Sequence, residues 1–271
     1  MTPEFAAEYL NKSEGKTSKK DFLYNGNPNK FKILQYLIEY HKSQKSDKIL
    51  VFVDNVKILE KWAKLLKYPF IHGKVKEPER ERIIAFFKTM PDWNVLFISR
   101  VGDTAIDIPD ANIAIECSSH FGSQRQEAQR LGRILRPKDW RKEMSYQSIF
   151  WSMVSKDTDE MRHAIVRQKF LIKQGYSFEL WDEDKMMKNA NDWAHRKKIR
   201  YAMSERDKQI EWMNDLLVAT HTNMSIGNGR AGNRFDVSDD EVDADDFDKH
   251  GGFLPAGKKG GGRPHGGGGG N

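Results

Sequence analysis

Only one of the 271 residues is a cysteine, Cys117, so no disulfide framework can staple this chain, and a reducing compartment is expected. No apolar run approaches the roughly 20 residues of a membrane span. The opening stretch MTPEFAAEYLNKSEGK lacks the apolar core of a secretory signal. The expectation is a soluble intracellular protein with no membrane partner. Eight histidines and the lone cysteine show no metal-ligand spacing, so no metal site is expected. No G-x-x-x-x-G-K-[ST] loop occurs. The glycine-rich GNGRAGNRF (227–235) has neither the Lys-Ser/Thr ending nor a strand before it, and reads as linker. Ser118 and His120 lie close together, but without a strained G-x-S-x-G elbow they do not read as a nucleophile and its base. There is no internal repeat.

What is present is a core and a lopsided charge. Hydrophobic residues make up 38% of the chain, with 15 Phe, 7 Trp and 8 Tyr, enough to build a real interior. The mean hydropathy of −0.74 requires that part of the chain stay heavily solvated. The net charge of +6 conceals a split: from Asp236 onward there are eight acidic and four basic side chains, leaving +10 on residues 1–235. A basic body suits a polyanion partner, often nucleic acid, although many soluble proteins are as basic.

The body alternates in period. KILVFV (48–53), NVLFIS (94–99) and ANIAIEC (111–117) are continuous apolar runs, as in strands buried on both faces. YPFIH (68–72) and SYQSIFWSMVS (145–155) read as further strands. Between them, NVKILEKWAKLLK (55–67) puts Ile58, Leu59, Trp62, Leu65 and Leu66 on one helical face. EPERERIIAFFKTM (77–90) is a helix with Pro in its first turn. NPNKFKILQYLIEYHKSQ (27–44) is an amphipathic helix, and DTDEMRHAIVRQKFLIKQ (157–174) a helix opened by an Asp/Thr cap. Strands alternating with helices predict an α/β fold, a parallel sheet with helices on both faces, over residues 25–181. Residues 1–24 form an N-terminal extension, and 182–221 a charged helical extension packed on the side. Residues 222–271 hold an acidic run, then a glycine-rich one, and are expected to be disordered. That tail reads as solubilising, with an acidic interaction segment as the alternative.

Ligands of such sheets bind at the carboxyl ends of the strands. Two stretches fall there. SRVGDTAIDIPDA (99–111) can turn Asp107 and its backbone towards a ligand. QRQEAQRLGRILRP (124–137) is expected to be helical, with Gln126, Gln129, Arg130, Arg133 and Arg136 on overlapping faces. Gly132 would let another backbone approach. Arg133 and Arg136, three apart, make a permanently charged fork suited to phosphate; pairing with carboxylates such as Glu127 is the other reading. The basic stretch HRKKIRYAMSERDK (195–208) is a solvated face by default, with DNA or a partner subunit as the sharper option.

The pattern Q-x-x-Q-R-x-G-R-x-x-R, after a loop ending D-I-P-D-A, resembles motifs VI and V of superfamily 2 helicases. NPNKF, VFVDN, VGDT, SSHFGS, RQEAQRLGR, VSKDTDEM, RQKFL and QGYSF occur in order. Over residues 1–181 they resemble the C-terminal RecA-like domain of the XPB family, the DNA translocase subunits of transcription factor II H.

The resemblance implies a RecA-like lobe, with residues 1–24 coming from the lobe-to-lobe linker. ATP would be clamped between this lobe and an N-terminal helicase lobe whose P-loop and DExH box hold phosphates and magnesium. Neither motif is in this chain, which is therefore expected to be the second lobe alone and inactive by itself. Arg133 and Arg136 match the arginine fingers. Gln126 and Gln129 match the nucleotide-sensing positions, and Arg130 a position that pairs within or between lobes. Asp107 matches an acidic residue that contacts the ribose or the finger helix. Ser99 and Arg100, with His72 and Gly73, match positions that grip the backbone of double-stranded DNA. Implied partners are the other subunits of transcription factor II H, in the nucleus, in promoter opening and nucleotide excision repair. A silent module that only docks DNA or a partner is the alternative. Two departures bear on coupling: Ala105 stands where the family has Gly or Ser, and Gln124 where it tends to have Arg.

Overall fold

The computed structural model describes residues 1–11, 17–44, 47–99, 111–118, 132 and 148–226. Among the described residues five strands form one sheet: β1 (Ile49–Phe52), β2 (Phe70–Ile71), β3 (Val95–Ile98), β4 (Ile113–Glu116) and β5 (Ile149–Ser152). Their order is β2-β3-β1-β4-β5, and every pairing is parallel. The sheet is the one the apolar runs predict, with β1, β2, β3 and β4 trimmed at their ends.

Both faces are covered, which is why β1, β3 and β4 read as unbroken apolar runs. One face sends Ile49, Val51, Val95, Phe97, Ile113 and Ile115 into the main core. Helices α3 (Pro28–Lys42) and α4 (Val56–Leu66) cover it, and Phe31 and Trp62 pack at a tilt, 5.1 Å between ring centres. The other face sends Leu50, Phe52, Leu96, Ile98 and Ala114 against Ile83 and Phe87 of α5 (Glu77–Thr89). A one-residue slip of β1 would exchange these two sets, so packing fixes the register. On the second face, α6 (Glu160–Lys173) ties Arg167 to Glu116 of β4 at 2.6 Å, a buried pair that Ser152 of β5 joins.

Three findings differ from the sequence expectation. Helix α6 starts at Glu160, later than the expected 157, and Asp159 at its N-cap makes no side-chain cap bond. Asp157 instead holds a left-handed turn at φ 62°, and the Thr158 hydroxyl bonds back to the Ser155 carbonyl. The extension read as lying on the side is part of the core. In α7 (Glu183–Lys197) and α8 (Arg206–Ile226), Met186, Ala190, Trp212 and Leu216 join the main cluster. Helix α8 also runs on to Ile226, so residues 222–226, expected within the tail, are helical; the rest of the tail lies outside the described residues. The N-terminal extension contributes α1 (Pro3–Leu10) and α2 (Thr17–Asn25), with Phe5, Leu23 and Tyr24 buried.

Candidate functional site

The strand order turns about β1, whose neighbours β3 and β4 come later in the chain. Connections part there, and the carboxyl edge beside such a point is where α/β sheets hold ligands.

Ser99 follows β3 directly. Its amide donates to the Ile71 carbonyl at 2.9 Å, joining the exits of β3 and β2. The residue is buried, and among the described residues its hydroxyl has no hydrogen-bond partner. At the exit of β2, the His72 ring is buried while Gly73 is exposed. His72 Nδ1 accepts the Lys74 amide at 3.2 Å, which places the ring proton on Nε2, 3.2 Å from Glu60 Oε1 on α4. The ring is thus engaged inside the fold, and of this pair it is Gly73 that meets the surface.

At the exit of β1, Asn55 caps α4 by accepting the Ile58 amide at 3.1 Å. The Asp54 amide donates to Ser118 Oγ at 2.8 Å, so the exits of β1 and β4 are joined as well. Cys117, between β4 and Ser118, is fully buried, and burial pushes its thiol pKa well up, which makes it unreactive.

A polar node that the sequence reading had not singled out lies beside these exits. Lys30 of α3 donates to the Cys117 carbonyl at 2.8 Å and to both oxygens of Glu160 at 2.9 Å. Glu160 Oε2 also accepts the Ser155 amide at 2.7 Å. The Ser155 hydroxyl donates to the Tyr24 carbonyl at 2.8 Å, and Asn27, the cap of α3, reaches Ser155 Oγ at 3.4 Å. Lys30 and Glu160 side chains are 3% and 0% exposed, so both charges depend on each other. A signal existed. Lys30 sits four residues before Leu34 and eight before Ile38, a cation in an apolar helical stripe.

The structure therefore gathers NPNKF, VFVDN, VSKDTDEM and the start of SSHFGS at one edge. Arg100, Asp107, Gln126, Gln129, Arg130, Arg133 and Arg136 lie outside the described residues. Their flanks do not: Ser99 precedes the first of them, and Ser118 precedes the segment with the paired arginines. Gly132 is helical and exposed, and no described atom lies within 4 Å of where a Cβ would stand. Among the described residues no group of three or more His, Cys, Asp or Glu is placed to hold a metal. No helix there is long and apolar enough to cross a membrane.

Residues 1–240 match the family model described as ERCC3/RAD25/XPB C-terminal helicase. The chain is 53% identical over 184 residues to the general transcription and DNA repair factor IIH helicase/translocase subunit XPB of Dictyostelium discoideum, covering 68% of this chain and 22% of that protein. It is 41% identical over 236 residues to the XPB/SSL2 subunit of Saccharomyces cerevisiae, covering 86% of this chain and 27% of that protein. The chain thus spans about a quarter of the length of these curated relatives. Among solved structures, the C-terminal domain of the DEAD-box protein Dbp5 aligns at a TM-score of 0.45 and 18% identity, covering 60% of this chain and 91% of that one.

Proposed function

Because this chain belongs to the ERCC3/RAD25/XPB C-terminal helicase family, we propose that it is the second motor lobe of an ATP-driven DNA helicase or translocase. The motor works as part of transcription factor II H, in the nucleus, in promoter opening and nucleotide excision repair. The observation that carries this reading is the shared carboxyl edge. The stretch with Arg100 and Asp107 leaves the sheet at Ser99, and the stretch with the paired arginines leaves it at Ser118.

In this reading ATP binds between this lobe and an N-terminal lobe, which also holds magnesium. On closure Arg133 and Arg136 approach the γ-phosphate and stabilise the charge that develops on it in the transition state. Fingers of this kind are worth roughly 10³–10⁵ in rate, about 4–7 kcal/mol. Gln126 and Gln129 sense the nucleotide, and Arg130 pairs within or between the lobes. Asp107 contacts the ribose or steadies the arginine helix. Ser99, Arg100 and the Gly73 backbone grip phosphates of one DNA strand, and His72 shapes the turn that presents Gly73. Contacts to phosphate hold position without reading bases, which a motor that must move past every sequence requires.

The test is a DNA-stimulated ATPase assay on the chain alone, on the chain joined to its upstream lobe, and on the joined protein with Arg133→Ala and Arg136→Ala. The expected result is silence, activity, and a loss on the order of 10³-fold. Full activity in the double variant would assign the arginines a structural role. An inactive joined protein would favour a module that only docks DNA or a partner.

A further inference from the structure

We infer that Lys30 and Glu160 form a positioning node that sets the exit of β4, and with it the root of the arginine-bearing segment, by the placement of the N-terminal helices. The inference rests on the motor reading for its consequence, and on the described geometry alone for its mechanism.

Three kinds of element meet at this node. The first is the exit of β4, held through the Cys117 carbonyl; the next residue, Ser118, is the last one described before the segment that contains Arg133 and Arg136. The second is the turn after β5, held through the Ser155 amide. The third is the N-terminal pair of helices. Tyr24 of α2 receives the Ser155 hydroxyl, and the Tyr9 hydroxyl of α1 accepts the Asp159 amide at 3.0 Å. A chain of bonds links α2 to the β4 exit: Tyr24 to Ser155, Ser155 to Glu160, Glu160 to Lys30, Lys30 to Cys117.

The chemistry is more than the fold needs. The three donors of the Lys30 ammonium meet two carboxylate oxygens and a carbonyl, and that carbonyl lies just past the last residue of the β4 ladder. A hydrophobic pair of the same size would fill the space about as well, since buried ion pairs are often replaceable without loss of stability. What an apolar pair cannot do is hold a carbonyl and an amide at fixed positions. A shift of the α1–α2 helices would move Ser155 and Asp159, then Glu160, then Lys30. The segment that begins after Ser118 would feel it. Lys30 is thus a positioning residue, acting on the arginines through the backbone.

The test has two arms. In this chain, Lys30→Met with Glu160→Leu removes both charges and keeps the bulk. The expected result is a melting temperature within about 5 °C of wild type. Amide exchange over residues 117–122 should quicken on the order of tenfold while that of β1 and β3 stays unchanged. Should that variant not fold, Lys30→Gln with Glu160→Gln, a neutral pair that can still hydrogen-bond, takes its place with the same expectation. In the two-lobe protein the double variant should lower the DNA-stimulated kcat by up to roughly 10²-fold with an unchanged KM for ATP. Exchange at the wild-type rate in a folded variant overturns the inference, and so does an unchanged kcat. If the wild-type two-lobe protein has no ATPase activity, the motor reading falls, and the exchange arm still decides whether the node positions the β4 exit.

Discussion

At the scale of single residues, the His72–Glu60 contact shows how a side chain beside the site can serve the fold. The Lys74 amide leaves His72 Nε2 with the ring proton, 3.2 Å from Glu60 Oε1. Partial burial pushes the Glu60 carboxyl up, but the adjacent His72 ring and the charge of Lys64 outweigh it and hold the group below its ordinary value of 4.5. A carboxylate with a lowered folded pKa binds its proton less tightly in the folded chain than in the unfolded one. Its contribution is therefore whole above the ordinary value and is lost as the pH falls through the lower, folded one. Glu60→Gln, which cannot titrate, should be less stable than wild type at neutral pH by about 1 kcal/mol or less, because the side chain is partly open to solvent. Denaturant melts of both proteins should converge as the pH falls below the ordinary carboxylate value. A gap that stays constant over that fall would show that the contact is made by packing rather than charge.

At the scale of elements, α8 is the test of how far the helical extension belongs to the fold. The Trp212 indole donates to the Gly26 carbonyl at 2.8 Å, and a Cβ on Gly26 would stand 2.5 Å from Leu216 Cδ1 and 2.9 Å from the Phe22 carbonyl. The leucine tip can give way; the backbone oxygen cannot without moving α2. Gly26→Ala should therefore cost about 1–3 kcal/mol as an overpacked contact, read as a fall in melting temperature. A variant that melts like wild type would mean α8 rests on the lobe loosely. The same helix marks the limit of what the sequence showed. Strands such as Ile49–Phe52 were legible because burial on both faces leaves an unbroken apolar run. In α8 the apolar residues Ile210, Trp212, Met213, Leu216, Leu217 and Val218 do not keep to one stripe, and their partners lie in α2 and α4, some 150 to 190 residues earlier. The start of α6 was misplaced for a related reason. Asp157, Thr158 and Asp159 resemble a cap, but Glu160 is drawn inward by Lys30, 130 residues away, and only the folded chain brings that lysine near. At the site, the motif strings NPNKF, VFVDN and VSKDTDEM meet Ser118 at one edge of the sheet. They did not show that Lys30 and Glu160 sit beneath it, because a lysine in an amphipathic helix ordinarily reads as solvated.

At the scale of the whole molecule, charge is the property that the sequence and the proposed function share. Residues 1–235 carry +10, and the acidic segment that follows reduces the total to +6. Some of the cations are committed within the fold: Lys30 to Glu160, Arg167 to Glu116, Arg206 to Glu4 at 2.6 Å. Each such pair is neutral, so the +10 excess stays available to a phosphate backbone. If Arg100 and other cations of the basic body neutralise roughly three to five phosphates around the Ser99 and Gly73 contacts, counterion release makes the affinity of the lobe for duplex fall on the order of 10²-fold between about 50 and 200 mM salt. The same slope should appear with duplexes of unrelated sequence, since phosphate contacts carry no base information. Arg100→Ala should reduce the slope by about one charge equivalent and weaken binding uniformly across those sequences. Affinity that barely changes with salt, or that follows sequence, would remove the backbone grip from the carboxyl edge while leaving the ATPase test of the arginines untouched.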